Sequence, residues 1–554
     1  MKTRSLSVLV LLLAAACQTE APPAQSWTPF LPGDNLYAAI MQGDYAGARG
    51  DARLAAQRYT AAIGFAPSID RPALAARAHD YALEAGEFPL ALELARIAGP
   101  SLDRAALTLQ IAGLIGLSPE PIALKPEPIL DADAQALALA IAWRLAAAGD
   151  FAGAAAQVEA IREVDASAIG LKRGAVALLA IAQGADSDAA SGLQGLQQAG
   201  RLPVAYLALL AGAQARSGDL LTARRNARFV ARDALNGRDI FTIAAAEALH
   251  GDQTPPPPDP RALLAQQLVA LAIERGPMAD SLGWLTLACA LAPQDSALTF
   301  VQAQFLQSMQ RDRAALETLE QIDPAAPHAF AALIDQIAIL QREERSEEAR
   351  ALALAHRDRS PRVLEILAAL YTEADDYPAA EAVLTDFLAS APETAPSWRA
   401  HFSRGAARER QGKLAEAESD FREAIRLAPT EAEPLNYLGY MLIDQTDRVE
   451  EGFELVRRAF VLAPRAGHIV DSLGWAYLRL DRVQEAIDFL ERAVELDPGQ
   501  AEIIDHLGDA YWESGRRREA VFQWRRALSF SPDPDRAARL ESKIKDGLKA
   551  SPAP

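Results

Sequence analysis

Small and apolar residues recur along the last quarter of the chain with a period of 34 or 35 residues. The recurring positions are glycines at Gly405, Gly439, Gly474 and Gly508 and prolines at Pro429, Pro464, Pro498 and Pro532. Between them, apolar residues follow the 3.6-residue period of helices rather than the two-residue alternation of strands. A repeat of this length predicts a solenoid of helix hairpins, in which each unit buries its apolar face against the next.

The final repeat, residues 501–533, predicts two helices that share one buried seam. Apolar residues fall on one face of each helix, because successive residues are rotated by about 100°. These residues are Ile504, Leu507 and Tyr511 in the first helix and Ala520, Trp524 and Ala527 in the second. Gly508 and Ala520 are small, which lets the two helices cross closely. Pro532 cannot continue a helix and predicts the turn that ends the unit.

These positions resemble the tetratricopeptide repeat family, whose pattern is an aromatic residue, Leu-Gly and Tyr, followed by Ala, a large residue, Ala and Pro. In residues 467–500 the matching positions are Val470, Leu473, Gly474, Tyr477, Ala486, Leu490, Ala493 and Pro498. The unit from Ala432 is one residue longer and keeps Leu438 and Gly439 in register. The resemblance covers four successive units, and it implies an all-α fold, an α-α superhelix.

The repeat pattern weakens toward the N-terminus, where helix pairs are predicted around Gly86, Gly149 and Gly218. The alternative for that half is an ordinary alanine-rich helical bundle. The run Pro255–Pro258 predicts a stiff, extended connector and therefore a boundary. The predicted segments are an export signal (1–16), a tether (17–34), degenerate helical repeats (35–253), a proline-rich linker (254–260), a tetratricopeptide solenoid (261–535) and a C-terminal cap and tail (536–554).

The first residues of the chain are typical of an export signal. Lys2 and Arg4 precede the mostly apolar stretch Leu6–Ala16, which is shorter than the roughly 20 residues of a membrane-spanning helix. Cleavage after the small residues Ala14–Ala16 would release an unmodified, secreted chain. That alternative competes with the interpretation of Cys17, which follows immediately.

Residues 13–17, Leu-Ala-Ala-Ala-Cys, resemble a bacterial lipobox, in which the cysteine is cut free and acylated. Ala14 stands where the family usually has leucine. In that family several acyl chains on Cys17 would anchor the chain stably in a membrane. Gln18 occupies the position where lipoproteins retained at the inner membrane usually have Asp. The resemblance therefore implies the outer membrane, with the protein facing the periplasm.

Composition narrows the function further. Half of the residues are hydrophobic, which excludes a largely disordered chain, and the formal net charge of −19 disfavours nucleic acid as a partner. The seven histidines lack metal-ligand spacing, and no phosphate-binding loop or nucleophile elbow occurs. Cys289 lies in an apolar run and is predicted to be a buried, inert thiol. We therefore expect a protein that is not an enzyme and that has no cofactor and no metal.

A second, polar pattern lies on the first helices of the C-terminal repeats. Stacking of successive repeats would place Asn436, Asp471 and Asp505 in one row, Tyr440, Trp475 and Asp509 beside it, and Ser472 and His506 at its edge. Aromatic residues beside acidic ones on a polar face indicate a groove for a peptide. The alternative is that Tyr440 and Trp475 pack against neighbouring repeats. The groove hypothesis expects that replacing Asp471 and Trp475 weakens partner capture without lowering stability.

The segments Asn436–Tyr440, Asp471–Trp475 and His506–Asp509 resemble a subset of bacterial tetratricopeptide lipoproteins. Some members of that group are adaptors that bring cell-wall hydrolases to periplasmic C-terminal processing proteases for degradation. The resemblance implies an outer-membrane-anchored scaffold that binds periplasmic proteins or peptides, such as a processing protease and its substrates. The alternative function is a structural assembly factor for envelope export or polysaccharide machinery.

Lipidation of Cys17 can be tested directly. We expect the intact mass of the membrane-bound protein to include acyl groups, and we expect Cys17→Ala to abolish both the added mass and the membrane attachment. Mass spectrometry of fractionated cells measures both. A wild-type chain that is soluble and unmodified after cleavage contradicts the lipobox interpretation.

Overall fold

The computed structural model describes residues 35–99, 103–117, 132–162, 166–202, 206–226, 258–326, 328–390, 397–530 and 534–548. Cys17, the rest of residues 1–34 and Pro255–Pro257 lie outside the described residues, so the export signal, lipid anchor, tether and linker stay predictions. In the described part of the chain the regular elements are α-helices, and the prediction of an all-α fold is confirmed. None of these helices is long and apolar enough to cross a membrane.

The chain divides into two compact units, residues 1–339 and 340–554. The described helices of the first unit are α1 (Leu36–Ala48), α2 (Ala52–Phe65), α3 (Arg71–Glu84), α4 (Phe88–Ala98), α5 (Asp103–Leu114), α6 (Ala132–Ala147), α7 (Phe151–Glu159), α8 (Ala166–Ala182), α9 (Asp186–Gln198), α10 (Leu207–Arg216), α11 (Pro260–Arg275), α12 (Ala279–Leu291), α13 (Ser296–Ser308) and α14 (Asp312–Leu319), with α15 (Ala329–Arg342) at the boundary.

Two of the predicted hairpins in the first unit turn at glycines. Gly86, between α3 and α4, and Gly149, between α6 and α7, have φ angles of 76° and 87°. Glycine adopts this left-handed conformation without the steric penalty that a Cβ atom brings. Gly218 likewise follows α10 and precedes a helical segment, residues 220–226. The helix pairs predicted around these three glycines are therefore present.

Helices that are distant in sequence also pack together in the first unit. α12 lies against α3, and α11 lies against α6. The buried Trp143 donates its indole N–H to Gln267, with 2.5 Å between Nε1 and Oε1. The hydroxyl of Thr286 donates to the carbonyl oxygen of Leu83 over 2.6 Å. These contacts place α11 and α12 with the N-terminal helices, although the sequence had grouped residues 261–339 with the C-terminal solenoid.

The second unit is a regular series of hairpins followed by one more helix. Its described helices are α16 (Ser346–Ala355), α17 (Pro361–Glu373), α18 (Tyr377–Ser390), α19 (Trp398–Arg410), α20 (Leu414–Leu427), α21 (Ala432–Gln445), α22 (Val449–Leu462), α23 (Gly467–Arg479), α24 (Val483–Leu496), α25 (Ala501–Glu513), α26 (Arg517–Ser529) and α27 (Pro534–Asp546). We call α19, α21, α23 and α25 first helices and α20, α22, α24 and α26 second helices.

Each first helix packs on its own second helix, α20, α22 and α24 pack on the next first helix, and α26 packs on α27. The first helices α21, α23 and α25 also contact one another in turn, so they share one face of the unit. α20, α22 and α24 end two residues before Pro429, Pro464 and Pro498, as predicted, because proline cannot continue a helix. Pro532 lies outside the described residues.

The repeated glycines mark the points where the two helices of a hairpin cross. A Cβ atom on Gly439 would lie 2.8 Å from the carbonyl oxygen of Gly452 and 2.7 Å from Val456 Cγ2. On Gly474 it would lie 2.6 Å from Leu490 Cγ, and on Gly508 2.5 Å from Trp524 Cδ1. Ordinary carbon contacts are about 3.5–4.0 Å. The prediction that Gly508 must be small is confirmed, and Gly439 and Gly474 obey the same constraint.

We expect Gly439→Ala to destabilise the second unit by about 1–3 kcal/mol, because the new methyl group meets backbone atoms that cannot rotate away. Gly499→Ala is the matched control in the same unit. Its Cβ atom would have its nearest neighbour, Phe530 Cε1, at 3.8 Å. That change should alter stability by less than about 0.5 kcal/mol. Urea unfolding followed by circular dichroism measures both, and equal effects would contradict the crossing argument.

Candidate functional site

A cleft of about 490 Å³ opens on the face that the first helices share in the second unit. We call it the cleft. Its polar and aromatic lining consists of Thr372, Tyr377, Glu409, Arg410, Phe421, Asn436, Tyr437, Tyr440, His468, Asp471, Ser472, Gln500 and Glu502. Four of the residues predicted from the sequence, Asn436, Tyr440, Asp471 and Ser472, thus lie together in one opening. Trp475, Asp505, His506 and Asp509 are not among its lining residues.

Tyr437 presents an aromatic ring to the cleft from a fixed position. Its ring centroid lies 4.9 Å from that of Phe402, with the two rings edge to face at 86°, and 6.2 Å from that of Phe421. Such edge-to-face pairs stabilise by about 0.5–1.5 kcal/mol beyond the area that they bury. Tyr437 nevertheless remains 44% exposed. The ring is therefore preorganised and still accessible.

Tyr440 stands one helical turn further along α21 and is half-buried. Burial raises the pKa of its phenol, and the charges of Asp444, Glu502 and Asp471 raise it further. Burial, followed by the charges of Glu433 and Glu409, raises the pKa of the Tyr437 phenol. Burial is thus the main cause of both raised pKa values, and neighbouring carboxylates contribute to each.

Asn436 is 5% exposed, and its carbonyl oxygen Oδ1 has no hydrogen-bond partner among the described residues. A buried amide oxygen without a partner costs about 1–3 kcal/mol, and most buried polar groups avoid that cost. Asn436 lines the cleft, so a bound molecule with an N–H or O–H group can supply the missing donor. This orphaned acceptor is the feature of the cleft that points most directly to a ligand.

Asp471 and His506 form a buried pair between successive first helices. His506 Nδ1 lies 3.0 Å from each Asp471 carboxylate oxygen, and the two residues are 5% and 8% exposed. The Trp475 ring stacks on the imidazole, with 4.4 Å between centroids and 21° between planes. Burial alone would lower the pKa of His506, but the charge and hydrogen bond of Asp471, together with Glu502, raise it to about 9. The imidazole of His506 is therefore protonated at neutral pH.

Asp505 and Asp509 face the C-terminal helix α27. Lys543 Nζ lies 2.7 Å from a carboxylate oxygen of each. The indole N–H of Trp524 also donates to Asp509 over 2.9 Å. Leu540 of α27 is fully buried in the same core as Trp524. From the sequence we predicted that Asp505 and Asp509 line a peptide groove, whereas both carboxylates are paired with Lys543 of the same chain.

The predicted polar row thus divides into two parts. Asn436, Tyr440 and Ser472 line the cleft, and Asp471 lines it as well while it pairs with His506. Asp505 and Asp509 pair with Lys543 of α27, and Trp475 stacks on His506. The Ser472 hydroxyl itself donates to the His468 carbonyl oxygen over 2.9 Å. Replacement of Asp471 would leave a buried imidazolium without its partner, so it is not the stability-neutral change that the sequence suggested.

Several lining residues of the cleft were not predicted from the sequence. Tyr437, next to the predicted Asn436, and Glu409, on α19, both line the cleft. Tyr437 also packs against Phe402 and Phe421, so its sequence position alone favoured a core role. The repeat pattern gave no signal for Glu409, because the 34-residue offset from Gly405 to Gly439 aligns Glu409 with the apolar Ile443.

In the described part of the chain, no group of three or more His, Cys, Asp or Glu side chains could hold a metal ion. Burial raises the pKa of the Cys289 thiol to about 12. A thiol with so high a pKa stays protonated at neutral pH and is a poor nucleophile. The thiol is thus inert, as predicted, but Cys289 is partly rather than fully buried.

Comparison with known proteins identifies the repeat. The tetratricopeptide repeat family model matches residues 262–531. This part of the chain, slightly less than half of it, is similar to that family. The fold class predicted from the sequence, an all-α tetratricopeptide-repeat solenoid, is thereby confirmed. Proteins with this fold are generally scaffolds for protein interactions.

Individual relatives are similar over shorter stretches. The TPR repeat-containing protein PA4667 of Pseudomonas aeruginosa is 40% identical over 78 residues, which are 14% of this chain and 13% of that protein. A tetratricopeptide repeat protein from Parabacteroides merdae is 16% identical, with a TM-score of 0.39, over 45% of this chain and 98% of that one. The thermophilic TPR protein TTC0263 of Thermus thermophilus is 20% identical, with a TM-score of 0.31, over 34% of this chain and 100% of that one.

The buried histidine predicts a pH dependence. Because its pKa is raised to about 9 from 6.5, the stability that His506 contributes is complete below about pH 6.5 and is lost as the pH rises through about 9. We expect the wild-type second unit to lose about 1–3 kcal/mol over that interval. His506→Gln should flatten this profile, as measured by urea unfolding at pH 6 to 10.

His468→Gln is the control for this measurement, because His468 is half-exposed and its Nε2 pairs with Glu433 over 3.0 Å at the surface. It should keep the pH dependence of the wild type. A His506→Gln variant with the wild-type profile would show that the Asp471–His506 pair contributes nothing to stability at neutral pH.

Proposed function

We propose that this protein is a lipid-anchored scaffold at the periplasmic face of the outer membrane, and that its cleft binds a segment of a partner protein. The orphaned Asn436 oxygen beside the exposed Tyr437 ring carries the proposal. An amide acceptor next to an aromatic surface suits a polypeptide, which offers a backbone N–H and an apolar side chain at close spacing. A cleft of about 490 Å³ admits a short extended segment rather than a folded domain.

The packing of the repeats supports this function. The first helices that carry Glu409, Asn436 and Asp471 are held in register by the close glycine crossings and by the Asp471–His506 pair. Side chains that are already ordered lose little conformational entropy when a ligand binds. The cleft can therefore bind a short segment with a small entropic cost.

The proposed cellular location and the proposed class of partner are both inferred from the sequence. Cys17 and Gln18 support anchoring in the outer membrane, and the acidic charge of the chain argues against nucleic acid and anionic lipid surfaces as ligands. The resemblance to periplasmic adaptor lipoproteins favours a C-terminal processing protease and its cell-wall hydrolase substrates. In this proposal the repeats bring the two proteins together, and the protease carries out the cleavage.

Site-specific photo-crosslinking in living cells tests this function. We expect a photoreactive phenylalanine analogue at Tyr437 of the full chain to give discrete adducts with partner proteins, which mass spectrometry identifies. The same analogue at Phe522, which is 65% exposed on the second helix α26, is the control and should give few adducts. Absence of adducts at Tyr437, or equal adducts at both positions, contradicts binding in the cleft.

Asn436→Ala sharpens the test. The change removes an acceptor that has no partner in the described chain, so we expect the melting temperature to be unchanged or slightly higher. Partner capture at Tyr437 should fall by about tenfold, since one hydrogen bond to a bound ligand contributes about 1 kcal/mol or more. Adducts that contain a protease or a hydrolase support the adaptor role, whereas components of export or polysaccharide machinery support the alternative.

A further inference from the structure

The cleft has a charge pattern that specifies its ligand further. At the Tyr437 ring, burial is the main cause of the raised phenol pKa, and the charges of Glu433, Glu409 and Glu502 add to it, while Arg410 opposes them. At Tyr440 the neighbouring carboxylates are offset in part by the imidazole of His506, whose ring centroid lies 6.4 Å away. Because a phenol and a ligand's charge at that place feel the same potential, the three carboxylates near the Tyr437 ring favour a cation there.

Most charged groups around the cleft already have partners. Asp471 is paired with His506, Glu433 with His468 over 3.0 Å, and Glu502 with Arg536 over 3.0 Å. Glu409 differs, because it accepts a hydrogen bond from Gln445 but has no ion pair among the described residues. Its carboxylate lines the cleft and stands ready for a cation supplied by a ligand.

Among the aromatic rings of the second unit, some have an arginine of the described chain over them and Tyr437 does not. The Arg410 guanidinium lies over the Tyr377 ring, 5.3 Å from its centroid, and its Nε donates to the phenol oxygen over 3.1 Å. In the same unit Arg516 and Arg482 lie 4.0 Å and 4.5 Å from the centroids of Tyr511 and Tyr477. Tyr437 is 44% exposed, and no cation from the described residues lies over its ring. A basic side chain of a ligand can take that position.

We propose that the cleft selects an extended polypeptide segment with a basic side chain, which stacks on Tyr437 and pairs with Glu409 while a backbone N–H of the segment donates to Asn436 Oδ1. This inference rests on the proposed function, since it names the chemistry of the segment that the scaffold binds. Arginine fits better than lysine, because its planar guanidinium can stack on a ring and bond a carboxylate at once.

A selection with random peptides tests the inference without knowledge of the partner. A phage library of random decapeptides is panned on the full-length wild-type protein and, in parallel, on Asn436→Ala. We expect the wild-type selection to enrich arginine at one position, with lysine second and with acidic residues depleted there. A selection that returns no binders, or binders without a basic preference, overturns the proposal.

Variants then assign the preference to Glu409. For the best selected peptide, replacement of its arginine by glutamine should weaken binding to the wild type about tenfold, which corresponds to the 1–2 kcal/mol of a partly desolvated cation–aromatic contact. In Glu409→Gln this ratio should fall to about threefold or less. Glu416→Gln, on the exposed side of α20, removes the same charge outside the cleft and should keep the ratio.

Fluorescence anisotropy at 50 and 300 mM salt measures these affinities. A ratio that is equal in Glu409→Gln and in Glu416→Gln overturns the assignment, because net charge alone would then explain the preference. The crosslinking at Tyr437 keeps the two proposals apart. Adducts at Tyr437 without a basic preference in the library would refute the ligand chemistry and leave the scaffold function standing, whereas absence of adducts would refute the function itself.

Discussion

The close crossing of the two helices in each hairpin is the constraint on which the second unit depends. Backbone meets backbone where Gly439 faces Gly452, and at Gly474 and Gly508 a large side chain of the second helix fills the space that a Cβ atom would need. Because the helices approach so closely, each hairpin presents the same apolar surface to the next one. The hairpins therefore stack in constant register, and this register brings the first helices to one face.

The common face has two physical roles. Toward the C-terminal end, buried ion pairs join elements that are 34 to 38 residues apart, namely Asp471 with His506 and Lys543 with Asp505 and Asp509. Desolvation of such charges is unfavourable unless each finds its partner, so these pairs specify the register as well as hold it. Toward α19, Arg404 and Arg408 also pair, with Asp420. The exposed ring of Tyr437, the Glu409 carboxylate and the Asn436 oxygen line the cleft beside them.

Much of the second unit could be predicted from the sequence, because the patterns that specify its helices are local. The apolar stripe of Ile504, Leu507 and Tyr511, the small residue at Gly508 and the stop after Leu496 depend only on helix geometry and on the special backbone of glycine and proline. For the polar row, the sequence predicted only in part which residues line the cleft. Asn436 and Tyr440 were placed correctly on one face, but the same reasoning could not tell them from Asp509, whose partner Lys543 lies on another helix.

The sequence by itself determined the all-α class, the period of the repeat and the residues that form its seam, since helical periodicity and steric size act between near neighbours in the chain. The tertiary structure decided which polar residues are accessible, because a partner such as His506 or Lys543 comes from a different repeat. It also decided that α11 and α12 pack with the N-terminal helices of the first unit, through contacts such as the one between Trp143 and Gln267. Such contacts depend on where distant segments of the chain meet, and a periodic sequence pattern carries no information about those meeting points.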